Sequence, residues 1–175
     1  MSRGKLLTLP NIISLSRLAL ALAFVLMPAR DVRIALVVVA SITDYLDGWV
    51  ARKRRSFSRS GALIDPIADR VFVLAAISAF LFNGDIGTGQ YFVLLSRDLA
   101  TAVGFLVARA ITWLRPVAFK ARPAGKVVTT LQLATLIVIL LYPRAAEGFI
   151  AAVGVASAYA IGDYTLALWR ARMTA

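Results

Sequence analysis

Four aspartates lie within two otherwise apolar stretches of this chain, DYLDGWVAR at positions 44–52 and GALIDPIAD at positions 61–69. The surrounding residues, 34–50 and 63–82, are apolar enough to be read as membrane spans. An aspartate at mid-membrane costs about 2.5 to 3.5 kcal/mol, so four would cost roughly 10 to 14 kcal/mol, comparable with the net stability of a whole domain. The aspartates therefore need a strong partner, and a bound metal ion is the most economical one.

The composition also indicates a membrane protein. The chain has 175 residues, of which 60% are hydrophobic and 17% charged, and its mean hydropathy is +0.79. A soluble core this apolar would leave large apolar patches exposed. The chain has no cysteine and no histidine, which excludes a disulfide, a thiol nucleophile and a thiolate metal site. Any general base must then be a carboxylate, a lysine, a tyrosine or water.

The net charge of +11 would suggest nucleic-acid binding in a soluble protein. Membrane proteins, however, concentrate Lys and Arg in their cytoplasmic loops. We therefore interpret the charge as a signal of membrane orientation and expect no nucleic-acid partner.

Six apolar segments predict an all-α, polytopic membrane protein with six transmembrane helices in a single domain over 1–175. The first segment resembles a signal peptide, but Arg17 in its middle favours a retained span. The predicted segments are 10–27, 32–52, 60–82, 90–114, 126–142 and 148–169.

The basic residues predict the orientation of these spans. They concentrate at both termini and in the loops after the second and fourth segments, whereas the opposite side has Arg30, Arg33 and Arg144. Both termini and the aspartate-bearing ends of the second and third spans should therefore face the cytoplasm. We expect the membrane to be that of a prokaryotic cell. The clustered residues are Arg3, Lys5, Arg52, Lys53, Arg54, Arg55, Arg59, Arg115, Lys120, Arg122, Lys126, Arg170 and Arg172.

The spacing of the aspartates predicts a metal site. Asp44 and Asp47 are three residues apart, and Asp65 and Asp69 are four apart, so each pair shares one face of a helix. A short basic loop joins the two segments, which makes them antiparallel neighbours and lets four carboxylates converge. Hard divalent cations prefer such oxygen ligands, and Mg²⁺ or Mn²⁺ is the natural occupant.

Neighbouring residues have two interpretations each. Gly48 and Gly61 lie one turn from an aspartate, which fits either room for a ligand or a close helix contact. Arg52 continues the Asp44 face, where it could bind a phosphate or extend to the membrane interface.

Three alternatives to a metal enzyme remain open on the composition alone. The aspartates could form salt bridges with Arg17, Arg70 and Arg97. They could also serve as a cation relay in a secondary transporter, because carboxylate chains mark such pathways. The third alternative is a nonenzymatic membrane scaffold.

The full pattern Asp-x2-Asp-Gly-x2-Ala-Arg-x8-Gly-x3-Asp-x3-Asp resembles the signature of the CDP-alcohol phosphotransferase family at all eight of its fixed positions. The resemblance in layout, six spans with the motif across the second and third, covers nearly the whole chain. Members of that family are membrane enzymes and homodimers. They transfer a phosphoryl-linked group from a CDP-linked donor to an alcohol and release CMP. The matching positions are Asp44, Asp47, Gly48, Ala51, Arg52, Gly61, Asp65 and Asp69.

The resemblance implies a role for each matching residue. Two divalent metals, Mg²⁺ or Mn²⁺, would be held on the donor pyrophosphate by Asp44, Asp47, Asp65 and Asp69. Asp69 would also be the catalytic base that deprotonates the acceptor hydroxyl. The residues expected at the CDP-linked donor are Asn11, Gly48, Ala51, Arg52, Ser58 and Gly61.

Further short stretches resemble the phosphatidylglycerolphosphate synthase and cardiolipin synthase branch, namely DPIADR at 65–70 and GKVVTTLQ at 125–132. The stretch SRD at 96–98 resembles the cardiolipin synthases in particular. The relatives usually have Lys at Arg70 and an apolar residue at Ser60. This branch implies CDP-diacylglycerol as donor and glycerol 3-phosphate or phosphatidylglycerol as acceptor, and both acceptors carry a phosphate. The residues expected to bind that phosphate are Arg97, Lys120, Arg122 and Lys126, of which the last three also fit ordinary cytoplasmic loop charges.

Overall fold

The computed structural model describes the backbone of residues 9–54, 61–110 and 123–173, and side chains at 16–43, 70–104, 107, 124–166 and 169. The described backbone is helical and contains no strand. Its long helices follow the six predicted segments in order. They are α1 Leu9–Leu26, α2 Arg30–Arg54, α3 Gly61–Asn83, α4 Thr88–Ala110, α5 Pro123–Leu141 and α6 Ala146–Met173, with a 3₁₀ turn, Pro143–Ala145, before α6.

Two of the described helices are long and apolar enough to cross a membrane. They cover Ala124–Leu141, with a mean hydropathy of 1.9, and Pro143–Leu166, with a mean hydropathy of 1.4. Two further apolar stretches, Ser16–Leu26 and Arg70–Asn83, are the parts of α1 and α3 whose side chains the structure describes. The all-helical class is therefore confirmed for the described residues, whereas the six-span count and the cytoplasmic termini stay predictions.

Contacts within the chain form two compact units, Met1–Asp85 and Ile86–Ala175. In the first unit α1 packs against both α2 and α3, and in the second α6 packs against both α4 and α5. The predicted single domain over 1–175 stays a prediction.

The core of the first unit is aromatic. Phe24 on α1 contacts Phe72 and Phe80 on α3 edge to face, with ring centroids 6.1 Å and 5.6 Å apart. All three rings are buried. Edge-to-face pairs add about 0.5 to 1.5 kcal/mol beyond their buried area, so these contacts fix α1 on α3.

The end of α3 confirms the predicted stop at Asn83-Gly84. Gly84 has a φ of +79°, in the left-handed region that glycine adopts without strain. Its N–H donates to the carbonyl of Leu81 at 3.1 Å, and the N–H of Asp85 donates to that of Phe80 at 2.9 Å. This pair of bonds is a Schellman motif, which satisfies carbonyls that the helix leaves free.

Arg33, near the start of α2, joins the ends of all three helices of the first unit. Its Nε–H donates to the carbonyl of Phe24 at 3.2 Å. In a continuous helix this carbonyl would accept from residue 28, but Pro28 has no N–H to donate. The guanidinium lies 5.0 Å from the Phe24 ring centroid and 5.9 Å from that of Phe80. With the Asn83 amide oriented so that its oxygen faces Arg33, that oxygen accepts from Nη1 at 2.6 Å and from Nη2 at 3.2 Å.

We expect Arg33→Met to lower the free energy of unfolding by about 3 kcal/mol, because it removes charge-assisted hydrogen bonds and a buried cation–π contact. Chemical unfolding of the detergent-solubilised protein would measure the change. The control is Arg144→Met, an exposed position in the 3₁₀ turn, where we expect a change within about 0.5 kcal/mol. Equal stability of the two variants would contradict the assignment.

Candidate active site

The eight motif positions lie on two helices. Asp44, Asp47, Gly48, Ala51 and Arg52 belong to α2, and Gly61, Asp65 and Asp69 belong to α3, which begins at Gly61. Helical spacing places Asp44 with Asp47, and Asp65 with Asp69, at positions that share a helix face, as the sequence predicted. The side chains of these residues lie outside the described part of the structure, and so does that of Asn11 on α1.

The turn of α2 that precedes the motif is internally satisfied. The hydroxyl of Ser41 donates to the carbonyl of Val37 at 2.8 Å. That of Thr43 donates to the carbonyls of Ala40 at 2.8 Å and Val39 at 3.0 Å. Hydroxyls bonded back onto their own helix need no partner from elsewhere, so they are compatible with an apolar span. Asp44 follows this turn directly. Its carboxylate carries a charge and only accepts hydrogen bonds, so the carbonyls of the helix cannot satisfy it as they satisfy the hydroxyls.

Arg97 on α4, a charged residue within a predicted span, is buried in the structure. Its side chain is 10% exposed, and Nη1–H donates to Asp98 Oδ1 at 2.9 Å. The Nε–H group is also buried and has no hydrogen-bond partner among the residues that the structure describes. Asp98 is thus a described carboxylate partner of Arg97, and it is not one of the motif aspartates.

The Arg97 guanidinium lies against the first turn of α5. A Cβ placed on Gly125 would overlap with Arg97 Nη2 and would lie 3.3 Å from Arg97 Cζ. Lys126 follows directly and is exposed. The N-terminal turn of a helix carries partial positive charge and free N–H groups. Arg97 and the start of α5 therefore bring cationic groups together in the second unit. The other two predicted phosphate-binding residues, Lys120 and Arg122, lie outside the described residues, as does Ser58.

A buried hydrogen-bond chain behind Arg97 was not predicted. Gln132 on α5 is 1% exposed, and its Nε2 group donates to the carbonyl of Leu94 at 2.7 Å and to Asp98 Oδ2 at 2.9 Å. Gln132 lies seven residues after Gly125, which is two helical turns along the same face. The spacing of Gly125 and Gln132 can be read from the sequence, but the partners of Gln132 on α4 cannot.

Two of the three arginines that could form salt bridges with the motif aspartates lie in the first unit. Arg17 on α1 is 2% exposed, and Arg70 on α3 is half-buried. Within the described side chains, no three residues of the types His, Cys, Asp and Glu group together as a metal site. The four motif aspartates are outside that set, so the metal site stays a prediction.

Comparison with known proteins identifies the family. The family described as CDP-alcohol phosphatidyltransferase matches residues 7–163. The chain belongs to this family. The match includes α1 to α5 and most of α6, together with all eight motif positions.

Three relatives illustrate the CDP-alcohol phosphatidyltransferases that this chain is similar to. A CDP-diacylglycerol--glycerol-3-phosphate 3-phosphatidyltransferase of Aquifex aeolicus is 35% identical over 61% of this chain and 64% of its own length. A putative cardiolipin synthase of Mycobacterium tuberculosis is 33% identical over 71% of this chain and 62% of its own length. A CDP-diacylglycerol--glycerol-3-phosphate 3-phosphatidyltransferase of Rickettsia bellii is 32% identical over 76% of this chain and 75% of its own length. The chain thus spans a little under two thirds of the first two relatives.

Enzymes of the CDP-alcohol phosphatidyltransferase family are in general dependent on a divalent metal ion. The residues at the motif fit such an ion chemically, because aspartate carboxylates are hard oxygen donors and the two helices carry them in pairs on shared faces. The names of these relatives cover both branches that the sequence resembles, namely transfer to glycerol 3-phosphate and cardiolipin synthesis.

Proposed function

We propose that this protein transfers a phosphatidyl group from CDP-diacylglycerol to a phosphate-bearing alcohol and releases CMP, as a step of phospholipid biosynthesis. The acceptor is glycerol 3-phosphate or phosphatidylglycerol. The observation that carries the proposal is the complete eight-position motif on α2 and α3 within a family match over residues 7–163. Relatives named for each of the two reactions support the choice of acceptors.

Asp69 acts as the general base in this proposal. Its carboxylate takes the proton of the acceptor hydroxyl, and the hydroxyl oxygen attacks the phosphorus that bears the diacylglycerol group. A new P–O bond forms as the bond between this phosphorus and the bridging oxygen of the pyrophosphate breaks, and the electron pair leaves with CMP. The chain has no His or Cys, so direct attack requires the fewest steps. Such a transfer depends mainly on positioning and electrostatics.

Asp44, Asp47, Asp65 and Asp69 would hold two divalent cations, Mg²⁺ or Mn²⁺. When bound, these ions would neutralise the negative charge of the donor pyrophosphate and of the departing CMP. The remaining donor contacts are assigned to Asn11, Gly48, Ala51, Arg52, Ser58 and Gly61.

The phosphate of the acceptor is assigned to Arg97, Lys126, Lys120 and Arg122. Arg97 has the strongest support, because its buried Nε–H, which has no hydrogen-bond partner among the described residues, can bind a phosphate oxygen by a charge-assisted hydrogen bond. Lys126 follows Gly125 in the first turn of α5 and adds a second positive charge at that end of the helix.

The setting that we propose is an integral membrane homodimer with six spans, both termini in the cytoplasm and a cytoplasm-facing active site, in a prokaryotic cell membrane. Large apolar side chains on the helix surfaces suit contact with lipid. The most exposed of them are Phe82, Val155 and Tyr159.

Thin-layer analysis of products from radiolabelled CDP-diacylglycerol tests the reaction. The purified protein, supplied with Mg²⁺, is given glycerol 3-phosphate, phosphatidylglycerol, inositol or serine in parallel. We expect CMP and one labelled phospholipid with one of the first two acceptors, and neither product with the other two. Cation flux in sealed vesicles without CMP release would favour the transporter alternative and overturn the proposal.

A further inference from the structure

Arg97 would not hold one fixed position by its own bonds. Asp98, which accepts from it, is its immediate neighbour on α4, and adjacent residues on a helix point in different directions. A hydrogen bond between such neighbours requires both side chains to bend towards each other. The structure shows two features from α5 that keep them there.

The first feature is the hydrogen-bond chain through Gln132. Its amide uses one N–H on the carbonyl of Leu94 and the other on Asp98 Oδ2. Asp98 is thereby held by Gln132 through one oxygen and holds Arg97 Nη1 through the other. Both bonds of Asp98 are charge-assisted and part-buried, and charge-assisted hydrogen bonds are stronger than neutral ones.

The second feature is the missing side chain at Gly125. The end of the Arg97 guanidinium occupies the space that a Cβ would take, with Nη2 in overlap and Cζ at 3.3 Å. Glycine is otherwise unfavourable within a helix relative to alanine. Its use here gives the guanidinium direct access to the first turn of α5.

We infer that Gly125, Asp98 and Gln132 are positioning residues, which fix Arg97 so that its buried Nε–H is aimed at the phosphate of the acceptor alcohol. This inference rests on the proposed function and assigns these residues to acceptor selection. An unpartnered buried donor is uncommon in native structures, and an anionic ligand would satisfy it. A cluster that served stability alone would have no reason to leave Nε–H without a partner among the described residues.

The test compares Gly125→Ala and Gln132→Met with the wild-type protein. The alanine favours the helix and displaces the flexible end of Arg97, and the methionine keeps the volume of Gln132 without its hydrogen bonds. For the acceptor that the wild type uses, we expect KM to rise at least about tenfold, the size of one charge-assisted hydrogen bond. We expect kcat and the KM for CDP-diacylglycerol to change less than about threefold. Gly104→Ala on α4, where a Cβ meets nothing within 4 Å, is the matched control and should leave every constant unchanged.

A double-mutant cycle separates positioning from general damage. Lysine has no Nη2 atom to overlap with an alanine at position 125. If Gly125 acts through Arg97, Gly125→Ala should raise the acceptor KM strongly in the wild type and less than about twofold in the Arg97→Lys background. An equal rise in both backgrounds would overturn the inference, as would variants with an unchanged acceptor KM or an equal rise in both substrates' KM. Wild-type protein that releases no CMP with either acceptor would overturn the proposed function, and this assignment with it.

Discussion

Asp69→Asn is expected to reduce CMP release by at least about a thousandfold while leaving the protein folded and membrane-inserted. The amide cannot take up the proton of the acceptor hydroxyl, and general-base catalysis alone contributes about 10² to 10⁴ in rate. The substitution also replaces an anionic metal ligand by a neutral one, which adds to the loss. Release of CMP from radiolabelled CDP-diacylglycerol at saturating acceptor measures the effect.

The control for this variant is Asp85→Asn. Asp85 is an exposed aspartate in the turn after α3, and the same change of charge there should leave the rate within about twofold. Both variants should extract from membranes and melt like the wild type. Full CMP release by Asp69→Asn would remove Asp69 from the role of base, whereas loss of activity in both variants would point to charge or folding instead.

Removal of divalent metal is expected to have an effect of similar size. Excess EDTA should lower CMP release by more than about a hundredfold, because neutralisation of pyrophosphate charge contributes several kcal/mol to the transition state. Addition of Mg²⁺ or Mn²⁺ beyond the chelator should restore the rate. The measurement is the rate against free metal concentration, with EDTA already saturated by Mg²⁺ as the control.

Full activity in metal-free buffer would contradict a metal role for the four aspartates. Full activity without metal would instead favour the alternatives in which the aspartates pair with arginines or serve the structure. Salt bridges with arginines, or a structural role for the aspartates, predict indifference of both activity and melting temperature to chelator.

Much of the helical framework could be predicted because it depends on local chemistry. Apolar length predicted all the long helices of the described chain, and Asn83-Gly84 predicted the end of α3, where a left-handed residue is needed. The motif was likewise legible, since Asp44, Asp47, Asp65 and Asp69 recur at helical spacing in segments that disfavour charge.

The cationic residues were harder to interpret. The sequence assigns Arg33, at the start of the second predicted segment, to the three basic residues on the side of the membrane opposite the termini. In the structure it is 3% exposed and bonds the Phe24 carbonyl and the Asn83 amide. Those partners come from two other helices, α1 and α3, so no local pattern around Arg33 predicts them.

The sequence by itself determined the helical class, the family and the positions of the carboxylates that we assign to the metal, because each depends on residue type and on spacing along one helix. Only the tertiary structure decided that Arg97 rests on Gly125 and is joined through Asp98 to Gln132. Residues 97 and 132 are separated by 35 positions in the sequence. Contact between them depends on how α4 and α5 pack, and that packing is set by the whole core of the second unit rather than by either segment.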